Sequence, residues 1–394
     1  MVIYILLLAC LYVKFWDIIP FGNISQDTQL ISILLYLVFG CFFFKRKKFV
    51  APHKYKYLKW IFVGIFLSML PAYLFYDQPF FQSIITYRVN ILLLTIVVLF
   101  KISPKLEEII QALFYFAVLM LLVEILMPLS PGLFIISEKK LNYAYATGDM
   151  SSLKAIAGIE YLIIPMFYYL QKIKEKFSFY NFLRIIVLFA VFMLAENRSN
   201  LFPVILFTLY TFLHIRSKHK PLIICGLLLI CAVFFISQKE LFLGLYEESV
   251  TQINDTDYNR NKAYVYYLFN ACPNFLCYIL GNGRISIHHN PIVANLMEDG
   301  IYNTDVGFIG YWNEFGLIPV ICMFIMFYKT LASKKMPYFM RLFALQILIC
   351  GLTVSYFGSD DKILQFVLFY YLYFYHQRHF YEKKSSVFNH SRRV

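Results

Sequence analysis

Charge is what this 394-residue chain has least of: Asp, Glu, Lys and Arg make up 15% of it, against 60% hydrophobic and 20% aromatic residues. A chain with so little polar surface is not a soluble globular protein. Acidic residues are the scarcer sign, 23 against 36 Lys and Arg, which leaves a formal net charge of +13. That excess resembles a nucleic-acid signal only until it is located. Most of it sits in short segments between apolar runs, where basic residues orient a protein in a membrane. Nucleotide and metal signatures are missing too. There is no glycine-rich phosphate loop, no nucleotide-binding domain and no His-Glu metal helix, so chemistry driven by ATP or a cytosolic nucleotide sugar is not expected. The eight cysteines show no metal-ligand spacing. Only Cys272 and Cys277 fall in a polar stretch, where they either pair or stay free. Leu7-Leu8-Ala9-Cys10 has the look of a lipoprotein cleavage box, but no basic residue precedes it and its apolar stretch is too short. It reads as part of a retained first helix.

What the chain does have is continuous apolar runs. Barrel strands would alternate with period two, so the expectation is an all-α, polytopic membrane protein. About twelve helices are expected, near 2–19, 29–44, 60–76, 83–100, 109–127, 152–170, 183–195, 200–215, 221–237, 307–328, 341–357 and 362–376. This divides the chain into an N-terminal bundle (1–237), a polar loop (238–306), three C-terminal helices (307–378) and a basic tail (379–394). Under that count the clusters at Lys45–Lys48, Lys101 with Lys105, Lys172–Lys176, Arg216–Lys220, Lys334 with Lys335, and the tail all share one side. The positive-inside rule makes that side cytoplasmic, with both termini inside and the long loop outside.

The ionisable residues within or at the ends of the spans share a depth. Lys14, Asp17, Arg88, Glu124, Glu160, Glu196, Arg198, Asp360 and Asp361 all fall toward the outer face. A charge at mid-membrane costs about 2.5–3.5 kcal/mol on insertion scales, so such residues face a cavity or a partner. Their common placement points to a polar cavity open outward and roofed by the loop. Within the loop, interleaved tyrosines and charges suit sugars and phosphates, because rings stack on apolar faces and Arg pairs bidentately with phosphate. Plainer readings stand beside these. Arg198 with Glu196 makes an interfacial ion pair in a helix link, Asp305 caps the helix that follows, and His288-His289 is loop surface. Gly281-Asn282-Gly283-Arg284 reads as a turn with an exposed Arg.

Three segments carry a resemblance. They are Leu194-Ala195-Glu196-Asn197-Arg198-Ser199-Asn200-Leu201, then Asp257-Tyr258-Asn259-Arg260 with Gly281-Asn282-Gly283 downstream, and then Asn303-Thr304-Asp305-Val306-Gly307 running into Phe308–Ile318. In that order, at the outer face, they resemble the O-antigen polymerase and O-antigen ligase superfamily of bacterial envelope glycosyltransferases. Ligases of that superfamily usually carry His where Asp305 stands; the Thr-Asp-x-Gly form looks more like repeat-unit polymerases. The resemblance implies oligosaccharide units on undecaprenyl diphosphate as donor and acceptor, joined at the outer face of the plasma membrane without metal or cofactor. A chain-length regulator is a further implied partner, and nucleic acid is not one. Such a transfer needs positive charge for the departing diphosphate and a base for the acceptor hydroxyl. Arg198 and Arg260 are the leading diphosphate binders, with Arg88 and Arg284 in reserve and Tyr258 and His288 completing the substrate set. Asp305 is the candidate base, with Glu196 and Glu160 behind it. The competing readings are a ligase, which differs in acceptor, and a lipid-linked sugar flippase or transporter. A flippase would place charges near the midplane and show internal repeats, neither of which is seen.

The topology is testable with truncations. A reporter that fluoresces only in the cytoplasm should be dark when joined after Asn270 and bright when joined after Val394. A bright Asn270 fusion would invert the orientation.

Overall fold

The computed structural model describes residues 1–13, 15, 25–44, 53–130, 158–194, 198–214, 220–221, 259–286, 290–353 and 360–391. Among them the chain is helical and contains no strand. The helices of the first half are α1 (Val2–Tyr12), α2 (Gln26–Phe43), α3 (Lys56–Tyr76), α4 (Phe80–Thr86), α5 (Thr95–Ile102), α6 (Leu106–Leu129), α7 (Ile163–Glu175), α8 (Phe179–Leu194) and α9 (Arg198–Leu213). Short α10 (Asn259–Val265), α11 (Phe275–Leu280) and α12 (Pro291–Glu298) follow. The chain closes with α13 (Gly307–Phe315), α14 (Leu317–Ala332), α15 (Tyr338–Cys350) and α16 (Asp360–Ser391). Tight 3₁₀ turns occupy Arg88–Leu94, Ile159–Leu162 and Asn303–Val306.

Helices fall on each expected interval except 221–237, of which residues 222–237 lie outside the described residues. Their lengths do not establish twelve spans. Two described helices, Lys56–Tyr76 and Leu106–Met127, are long and apolar enough to cross a membrane alone. A third crossing arises only if Phe80–Thr86 and Arg88–Ile102 count as one span, and that pair is bent by 59°. The expected straight helix over 83–100 is therefore corrected: the chain breaks at Tyr87 and continues as a 3₁₀ turn.

Local chemistry explains several ends. Ser25 opens α2 by accepting from the Thr28 N–H at 3.2 Å, and Asp27 in the first turn favours the positive helix end. α3 stops at Asp77, which adopts the left-handed conformation (φ 51°) that Asp tolerates.

The core is organised by α16. From Ile363 to Phe374 every residue is buried, on all sides of the helix. A helix apolar all round belongs at the centre of a bundle, and α16 packs against α1, α5, α15 and the 88–94 and 159–162 turns. Its tyrosines bury their rings and bond the ends of neighbouring elements. Tyr370 Oη donates to the Lys54 carbonyl at 2.8 Å and accepts from the Leu58 N–H at 3.0 Å, tying down the start of α3. Tyr371 Oη donates to the Pro104 carbonyl at 2.7 Å, between α5 and α6. Gln365 is fully buried on the same helix, yet neither its Nε2 nor its Oε1 has a hydrogen-bond partner among the described residues.

Two substitutions on α16 should therefore move stability in opposite directions. Tyr370→Phe strands a buried donor and a buried acceptor and should destabilise by about 1–3 kcal/mol, whereas Gln365→Leu removes unpaired polar atoms and should stabilise. Melting of purified protein in detergent checks both; a Gln365→Leu variant that melts lower would show that its amide is satisfied.

Candidate functional site

The described part of the polar interval docks onto the broken helix α13–α14. Gly316, at φ 79°, ends α13, which strands the last carbonyls of that helix. Two of them are taken up by the segment after α11: Asn282 N–H donates to the Asn313 carbonyl at 2.6 Å and Gly283 N–H to the Glu314 carbonyl at 3.0 Å. The backbones meet without room for side chains. A Cβ on Gly281 would lie 2.5 Å from Gly316 N, and one on Gly316 would lie 2.4 Å from the Ile279 carbonyl oxygen. The Asn282 Nδ2 also donates to the Ala271 carbonyl at 2.9 Å and to Asn313 Oδ1 at 3.2 Å.

This clasp positions Arg284. Its N–H donates to Tyr87 Oη at 2.8 Å, and its carbonyl accepts from Gln78 Nε2 and Thr86 Oγ1, each at 3.0 Å. Tyr87 Oη in turn shares a 2.7 Å bond with Ser68 Oγ on α3. So held, Arg284 Nε lies 3.1 Å from Oε1 of the buried Glu314, close enough for an ion pair but not aligned as a hydrogen bond. The other Glu314 oxygen accepts from Asn303 Nδ2 at 3.2 Å. Arg284 was expected as an exposed turn residue; it is half-buried and committed to Glu314.

Asn303 opens the 3₁₀ turn that carries Asp305. Gly307 follows at φ 55°, where a Cβ would lie 2.0 Å from the Gly351 carbonyl oxygen, so the Thr-Asp-x-Gly sequence needs its glycine for close approach to the end of α15. The Phe308 N–H donates to that same carbonyl at 2.7 Å. Asp305 does not cap α13: the capping position is Val306 and no side chain bonds there. Its carboxylate has no hydrogen-bond or ion-pair partner among the described residues. A second small core, Ala263, Ile301 and Val306 with Tyr264, Tyr267, Leu296 and Ile309 around it, presses α10 onto this turn. The Tyr264 hydroxyl donates to the Leu352 carbonyl and fixes α10 to the chain after α15. Arg260 stands on α10, beside Tyr264, with a buried Nε that has no partner among the described residues. Tyr267 sits in the field of Glu314 and Asp305.

The cysteines of this region are free.

The remaining expected residues lie elsewhere. Arg88 Nε is 2.9 Å from Asp27 Oδ1, pairing the bend after α4 with the start of α2. Glu160 is buried in the 159–162 turn, which packs among α6, α7, α8 and α16. Glu196, Tyr258 and His288 lie outside the described residues, as does the side chain of Arg198; its backbone begins α9. Glu314 and Asn303 were not among the expected site residues. Glu314 had a signal: it is the lone acid in the apolar run from Phe308 to Ile318, and such residues mark functional or paired positions.

Comparison with known protein families and with characterised proteins finds no match to this chain.

The ion pair has a direct test. Arg284→Ala leaves the Glu314 carboxylate buried without its counter-charge and should destabilise by about 3 kcal/mol. Adding Glu314→Gln should recover most of that loss in detergent melting. Equal melting of Arg284→Ala and the unchanged protein would show that the pair contributes nothing.

Proposed function

We propose that this protein is a multi-pass, metal-independent glycosyltransferase of a bacterial plasma membrane that polymerises undecaprenyl-diphosphate-linked oligosaccharide units at the outer face. This reading retains twelve spans, both termini in the cytoplasm and the loop outside. One observation carries it. Arg260 and Asp305 are on elements packed together, and neither side chain is committed to a partner among the described residues. A cation with an unfilled Nε, on a helix packed against the turn that carries an uncommitted carboxylate, is what a diphosphate donor and a hydroxyl acceptor require. Arg284, neutralised by Glu314, is then a positioning residue that holds the cap in register rather than a diphosphate ligand. Arg88, paired with Asp27, drops back in the same way. Arg198 stays in the donor set on the resemblance alone.

The transfer runs as follows. The acceptor hydroxyl loses its proton to Asp305 as its oxygen attacks the anomeric carbon of the donor. The bond from that carbon to the diphosphate oxygen breaks, and Arg260 takes up the negative charge that develops there.

Arg260→Ala should abolish surface polymer with the protein still in the membrane. Lys at that position should rescue only in part, since it lacks the planar bidentate fork. Asp305→Asn keeps size and polarity but removes the proton acceptor, and the rate should fall by roughly 10²–10⁴-fold, the usual share of acid–base catalysis. Gel separation of surface glycan, with lipid-linked intermediates extracted in parallel, reads both variants. Single repeat units in place of a ladder support polymerisation. Full-length polymer stranded on the carrier would indicate a ligase, and units held on the cytoplasmic face a flippase. An unchanged ladder in both variants would remove the reading.

A further inference from the structure

The polar interval, expected to roof the membrane, instead reaches down along a membrane-length helix. At 1.5 Å per residue α3 is about 31 Å long, the thickness of a bilayer's hydrocarbon core. At its Tyr76 end, the tyrosine hydroxyl donates to the Ala271 carbonyl at 2.9 Å. Gly283 lies much farther along: a Cβ there would be 2.8 Å from both the Ser68 carbonyl oxygen and the Ala72 side chain. Ser68 is about 12 Å from Tyr76 along the helix axis. The same Ala271 carbonyl also accepts from Asn282 Nδ2 at 2.9 Å, so residues 271–283 form a loop closed at its ends that lies against α3 between the Tyr76 end and the Ser68 turn. Within this loop α11 packs against both α3 and α14, and α14 is itself an apolar helix.

One side of this segment is sealed and the other is bare. Cys277 is fully buried against the bundle, whereas Phe275 and Ile279, one helical turn apart, are 75% and 37% exposed. The preceding turns repeat the pattern, with Val265 at 55% and Phe269 at 71%. Leu74 on α3 and Ile321 on α14, the two helices that α11 packs against, are exposed as well. Irregular backbone at membrane depth requires its polar groups to be met by protein; among the described residues the backbone groups around Arg284 are met, whereas Asn282 Oδ1 is buried without a hydrogen-bond partner. The N–H groups of Asn282, Gly283 and Arg284 and the Arg284 carbonyl all have protein partners, and the charge of Arg284 is met by Glu314.

We propose that residues 265–284 form a re-entrant segment in the leaflet nearest the cap, with lipid acyl chains covering Val265, Phe269, Phe275 and Ile279. In water these four side chains would leave apolar surface exposed; acyl chains remove it from solvent. Lys262, exposed one turn before Val265, marks the level at which the segment leaves the headgroups. The lipid contact holds whatever reaction the site performs.

The full chain, reconstituted in nanodiscs of phosphatidylethanolamine and phosphatidylglycerol, tests this with p-benzoylphenylalanine at Phe269 or Phe275, replacements that keep the ring. Leu74 serves as the lipid-facing control and the exposed Asp299 as the solvent control. After irradiation, mass spectrometry should find phospholipid adducts at both positions, roughly tenfold or more above Asp299, as expected for a photophore immersed in acyl chains. Adducts at Leu74 but at neither phenylalanine would overturn the proposal. So would crosslinks from the phenylalanines to a second copy of the chain, which would make this face an oligomer interface.

Discussion

The clasp between residues 281–284 and the end of α13 is the contact on which the cap depends. A helix that ends inside a bundle exposes carbonyl groups that water cannot reach, and each buried unpaired group costs about 1–3 kcal/mol. Asn282 and Gly283 satisfy two of them with their own N–H groups, so one contact serves both the helix end and an otherwise unsupported turn. Glycine at 281 and 316 is what allows the two backbones to come this close. Everything placed by the clasp inherits its precision: the Arg284 backbone against Tyr87, Gln78 and Thr86, and its guanidinium against Glu314.

From there a chain of contacts runs to the open charges. Glu314 reaches Asn303, Asn303 begins the turn that carries Asp305, and that turn receives α10 and Arg260 through Ala263, Ile301 and Val306. The division of labour is electrostatic. Paired charges hold the architecture, because a charge-compensated carboxylate can stay buried where a lone one cannot. Unpaired ones remain available for a ligand. Arg284 and Arg88 belong to the first group; among the described residues Arg260 and Asp305 belong to the second. The same logic applies to α16, where Tyr370 and Tyr371 bring hydroxyls into the core only because backbone groups await them.

Much was legible in the order of residues. Helix was fixed as the only element, because continuous apolar runs without period two leave no alternative in lipid. The positions of most helices followed from the same runs, and the 238–306 interval stood out by its polar residues in an apolar chain. Arg260 and Asp305 were picked out by the resemblance that Asp257–Arg260 and Asn303–Gly307 carry, since charge alone does not distinguish them from their polar neighbours. Three-dimensional packing decided the rest. The break at Tyr87 has no proline or glycine to announce it and arises where Tyr87 Oη bonds Ser68 and Arg284. The partner of Arg284 is thirty residues away, and sequence proximity says nothing about which acid a folded chain brings to an arginine. Likewise, a polar run with interspersed phenylalanines reads as a surface loop until its depth is measured against α3. Local pattern determines which element forms and which face is apolar; only tertiary contacts determine which charges cancel and which stay open.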